Sequence, residues 1–95
     1  MGIDQSNKIT SLDIFLYLRQ RLLDAREKRD MDIMSKLQTV FIILSDLAYL
    51  KKVGHLGAIL EELENSARDS IMGVPWKSTI PSEEDIRSAL QEETG

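Results

Sequence analysis

Residues 30–53 read DMDIMSKLQTVFIILSDLAYLKKV, and this stretch decides the fold. Ile33, Leu37, Val40, Leu44 and Leu47 alternate steps of four and three, the spacing of one apolar helix face. Met34, Phe41 and Ala48 widen that face. The opposite side is not polar either: Ile42, Tyr49 and Val53 stand there beside Asp46. A helix apolar on two sides is buried on two sides. The stretch therefore predicts a central helix over about residues 31–53, with one side packed on its own chain and the other covered by something else.

Toward the N-terminus, Asp30 or Asp32 can accept the first free N–H groups of that helix. Before it, Thr10 or Ser11 can open a helix that runs to about residue 29, with Asp13 favourably placed in its first turn. Phe15, Leu18, Leu22 and Ala25 form its apolar stripe, with Leu12, Leu16 and Leu23 on the flank. Arg19 and Arg26 lie between these two groups, where solvent-facing residues are not expected. A connection of a few residues near position 30 implies an antiparallel hairpin. Leu22 should then meet Leu37 or Gln38, and Phe15 should lie near Leu44 and Ser45.

Toward the C-terminus, Gly54 reads as the left-handed residue that ends the central helix, with Lys51, Lys52 and His55 at the negative end of its dipole. A third helix follows over about residues 57–72. Leu56, Ile59, Leu60, Leu63, Ala67 and Ile71 make its apolar stripe, and Glu61, Glu62, Glu64 and Asp69 belong to its outer face. Gly73 ends it and Pro75 prevents its resumption. After a loop containing Trp76, Ser82 and Asp85 have the spacing of a capping box for a short fourth helix. Only Ile86, Ala89 and Leu90 give that helix an apolar face, so it is expected to dock weakly or to fray.

The fold class expected is all-α: an antiparallel helical hairpin with a third helix packed across it and a short C-terminal helix, in a dimeric helical bundle. A chain of 95 residues is one domain. It divides into an N-terminal arm at 1–10, a helical core at 11–73, and a loop with an acidic helix at 74–95. Domains this short bury only about 60–68% of their unfolded surface and often gain stability by oligomerising.

Composition removes several function classes. With no cysteine, thiol nucleophiles, thiolate metal sites and disulfides are excluded. The missing disulfides and the lack of a basic segment followed by an apolar run favour the cytoplasm. The apolar run Val40–Leu50, broken by Ser45 and Asp46, is too short to span a bilayer. Met1-Gly2-Ile3-Asp4-Gln5-Ser6 matches the myristoylation pattern at Gly2, but no polybasic cluster adjoins it, and one acyl chain alone anchors only marginally.

No residue set suggests an enzyme or a cofactor. His55 is the sole histidine; it has no nucleophile at a catalytic spacing and no companion ligands, and it reads as a surface residue at a helix end. Glu61 and Glu64 share a helix face but lack a Glu-x-x-His partner, so they read as solvated. Gly54-His55-Leu56-Gly57 matches neither phosphate-loop pattern.

Nucleic-acid binding is the alternative. Net charge is about +2 over residues 1–55 and about −6 over 56–95. A helix-turn-helix through Gly54 would bring Glu61, Glu62, Glu64 and Asp69 to DNA, against phosphate neutralisation. The better basic candidate is the hairpin tip, with Arg19, Arg21, Arg26, Lys28 and Arg29. These cations share no single face and no aromatic residues interleave with them.

By elimination, the expected function is protein–protein interaction: a small regulator, adaptor or inhibitor acting as a homodimer. Ile42, Tyr49 and Val53 are the expected contact patch for a second copy or another protein. Asp46 in that patch would need a cation, for which Arg19 of the neighbouring chain is the candidate. Trp76 reads as a lid on the core, or alternatively as an anchor for a partner.

Overall fold

The computed structural model describes residues 8–73 and 80–94, with side chains to residue 91. Its elements are four helices: α1 Ser11–Lys28, α2 Met31–Leu50, α3 Gly54–Met72 and α4 Glu83–Thr94. Among the described residues there is no strand.

Local hydrogen bonds fix most helix ends. Thr10 caps α1: its Oγ1 accepts from the Asp13 N–H at 3.1 Å, and the Asp13 carboxylate accepts from the Thr10 N–H at 3.0 Å. Asp30 Oδ1 accepts from the Ile33 N–H at 3.2 Å to open α2. The Asp30 N–H in turn donates to the Ala25 carbonyl at 2.9 Å, closing α1 around a left-handed Arg29. One residue thus ends one helix and starts the next. Ser82 and Asp85 cap α4 reciprocally, at 3.1 and 3.2 Å. Gly73, at φ 71°, ends α3 as its sequence suggests.

The junction of α2 and α3 differs from expectation. Gly54 is the first residue of α3, and the left-handed residue is Lys52, at φ 60°. The Val53 N–H donates to the Ala48 carbonyl at 3.0 Å, the six-residue closure of a Schellman turn. Turning at Lys52 returns Val53 to the core, where it is partly buried. Burying that side chain outweighs the strain of a lysine in the left-handed region, about 1 kcal/mol.

The closely packed antiparallel pair is α2 with α3, which share the most extensive interface of the fold. Gln38 reaches Glu64 while Ala48 faces Gly57, so the register runs in opposite directions along the two helices. The expected pairing of α1 with α2 is therefore not the main one. α1 touches α2 over a short patch only, and it touches α4 to a similar extent. α4 closes the ring by packing on α3. The molecule is 20 Å thick in its thinnest direction, about two helix diameters.

The core face of α2 is also rotated from the expected seam. Met34, Leu37, Phe41 and Ala48 are buried, whereas Ile33 and Leu44 lie at the margin and Val40 and Leu47 are exposed. Around them pack Phe15, Leu22 and Ala25 of α1, and Leu60, Leu63 and Ala67 of α3. Ile86 of α4 is fully buried in the same core. The short helix is therefore docked through Ile86 and Ala89, two of the three apolar residues expected to hold it.

Candidate interaction surface on helix α2

Rotation of the core face leaves two apolar strips of α2 outside it. One borders α3. There, an open groove of about 810 Å³ runs between the C-terminal part of α2 and the first turns of α3. Ser45, Ala48, Gly54, Gly57 and Ala58 are the small residues of its lining, and small side chains leave room between two helices. Ile42 and Tyr49 line it from α2, and Tyr49 is 84% exposed. Asp46, Glu61 and Glu64 add negative charge to the lining, and Lys52 adds one positive.

Four of the five residues expected at an interface therefore meet at this groove: Ile42, Asp46, Tyr49 and Val53. Val53 reaches it as the residue returned to the core by the Lys52 turn. Arg19 lies elsewhere. Its Nε donates to the Pro81 carbonyl at 2.7 Å, and its Nη1 stands 3.8 Å from Glu83 Oε2. This arginine ties α1 to the start of α4 within its own chain, which explains its position between two apolar groups of α1. Trp76 and Gly2 lie outside the described residues.

The second strip was not anticipated. Val40, Ile43, Leu47 and Leu50 are exposed, with Ile43 at 61% and Leu50 at 76%. At about 100° per residue they span an arc of about 80°. Ile42 and Tyr49 lie about 130° away around the helix, so groove and ridge face different directions and meet only near Asp46. The spacing of the ridge was visible in the sequence, but assigning Val40 and Leu47 to the core concealed it. With 20 residues and a mean hydropathy of 1.4 over its most apolar 18, α2 also meets the length and composition of a membrane-crossing helix. The narrower run Val40–Leu50 had concealed that as well. In the fold, this apolarity is divided between the core face and the two exposed strips.

The basic residues of the α1 end are partly committed. Arg19 is engaged with α4, and burial lowers the pKa of Arg26 from its ordinary value. Lys28 and Arg29 are exposed. On α3, Arg68 stands 3.7 Å from Glu64 and donates to Asn65 Oδ1 at 2.6 Å. Glu64 also accepts from Gln38 Nε2 at 3.1 Å, which fixes its carboxylate beside the groove.

Comparisons with protein-family models, with curated proteins and with solved structures return no match to this chain.

Proposed function

We propose that this chain is a small non-enzymatic protein–protein interaction module, a regulator, adaptor or inhibitor, that acts as a helical homodimer. The observation that supports this reading is the exposed ridge of α2, where Ile43, Leu47 and Leu50 are each more than half exposed. Leaving such area in water costs about 25 cal/mol per Å², and contiguous exposed apolar surface usually marks a contact site. The groove beside α3 supplies a concave, partly acidic feature for a partner, and the ridge supplies a convex apolar one.

Sedimentation equilibrium across micromolar concentrations tests the reading. A concentration-dependent dimer, weakened by polar substitution on α2, is the expected result. A monomer throughout the range would remove the homodimer. Retention of a purified partner by the wild-type chain but not by Tyr49→Ser would then be needed to keep the interaction module.

A further inference from the structure

We infer that two copies pair through the ridge of α2 in parallel, with Asp46 of each copy beside Lys51 of the other. The inference rests on the homodimer reading and specifies its surface and direction.

Val40, Ile43, Leu47 and Leu50 are separated by three, four and three residues. These are successive a and d positions of a heptad seam, with Val40 and Leu47 at a, and Ile43 and Leu50 at d. All four are exposed along one side of α2. The chain's own helices therefore leave this seam uncovered among the described residues.

Charge gives the occupant and the direction. The residues flanking such a seam are the one before each a position and the one after each d position. Here these include Asp46, before Leu47, and Lys51, after Leu50. In a parallel two-stranded seam, the residue before a position a meets the partner residue five places later, after the next d. Asp46 and Lys51 have that separation and opposite charge. Lys51 keeps right-handed helical geometry at φ −85° and ψ −4°, so it still follows the helix register before the turn at Lys52. An antiparallel seam would set each of these flanks against its own kind. Asp46 would then face Thr39 or another Asp46, and Lys51 would find no carboxylate.

Asp46 is exposed and forms no ion pair among the described residues. It also lies toward the C-terminal end of α2, where the helix dipole disfavours a carboxylate. A second copy supplies the cation that the described residues of its own chain do not. Ile42 and Tyr49 point well away from the ridge, so of the groove lining only Asp46, at its edge, is drawn into this dimer.

The chain contains no cysteine, so single-cysteine variants report contacts without background. Ile43→Cys, Leu47→Cys and Leu50→Cys should each oxidise to a disulfide-linked dimer, because in a parallel seam each residue lies near its own copy. Tyr49→Cys, on the groove side, should not. Asp46→Lys and Lys51→Asp should each weaken association about tenfold, since two exposed pairs become like-charged. The double swap should restore it. Circular dichroism on each variant separates loss of pairing from loss of fold.

A dimer that links at Tyr49 and not at Leu50 would place the interface on the groove side and overturn the inference while keeping the homodimer. Linkage at one ridge position alone would overturn the parallel direction. A wild-type monomer in sedimentation would remove both readings. If that monomer also bound phosphatidylcholine vesicles, the ridge would be a lipid-facing surface.

Discussion

Ala48 of α2 faces Gly57 of α3 so closely that a Cβ on Gly57 would lie 3.8 Å from the Ala48 Cβ. That is ordinary van der Waals contact, and it shows how the tightest helix pair of the fold is built. Two small residues let the α2 and α3 backbones approach where the chain reverses.

From this follows the first prediction. Gly57→Ala should stabilise the fold by about 0.5–1 kcal/mol, since the new methyl group finds room and glycine is a poor helix residue. Ala48→Leu should instead cost about 1–3 kcal/mol by forcing the helices apart. Urea denaturation of both variants measures the difference. Equal destabilisation would mean that the helices are closer than this contact implies.

Ser66 carries the second prediction. It is fully buried on α3, and its Oγ has no hydrogen-bond partner among the described residues. Removing an unsatisfied buried hydroxyl recovers its desolvation cost, so Ser66→Ala should raise stability by about 1 kcal/mol. A loss of stability would show that the hydroxyl has a partner.

The third prediction concerns the turn. Lys52 and Arg29 both occupy the left-handed region, at φ 60° and 55°. Glycine adopts that geometry without strain, so Lys52→Gly and Arg29→Gly should each gain about 0.5–1 kcal/mol despite the added freedom of the unfolded chain. Moving glycine to position 52 should not change the ends of α2 and α3. A helix boundary shifted in backbone chemical shifts would contradict the assigned turn.

These positions also mark how far the fold was legible. Thr10 with Asp13, Asp30, Gly73, and Ser82 with Asp85 were readable because each cap is a local hydrogen bond or a local backbone need. The end of α2 was not. Gly54 suggested an end at about Val53, three residues beyond Leu50, whereas the return of Val53 to the core set the turn at Lys52. The face of α2 was ambiguous because apolar residues surround the helix. Packing against the other three helices selects Phe41, fully buried, over Val40 and Leu47. The groove residues Ile42, Asp46, Tyr49 and Val53 were readable as a group. Arg19 was readable as out of place, but its acceptor, the Pro81 carbonyl, lies 62 residues away in sequence.

That long-range bond supplies the last prediction. Arg19 Nε donates to the Pro81 carbonyl at 2.7 Å in a part-buried site, while the nearby Glu83 carboxylate is 3.8 Å from Nη1 and largely exposed. The hydrogen bond should matter more than the ion pair. A charged donor on a protein acceptor contributes about 1.5–3 kcal/mol, whereas exposed ion pairs contribute about 0–1 kcal/mol. Arg19→Met should therefore cost about 2 kcal/mol, and Glu83→Gln less than about 1 kcal/mol. Because Ile86 anchors α4 in the shared core, the effect should be read by hydrogen exchange as well as by global unfolding. Arg19→Met should lower protection of the Ile86–Leu90 amides by about ten- to a hundredfold and that of α2 by less, since only the α1–α4 tie is cut. A uniform loss across all helices would mean that the four unfold as one unit. Equal costs for the two variants would assign the tie to Glu83 rather than to the Pro81 carbonyl.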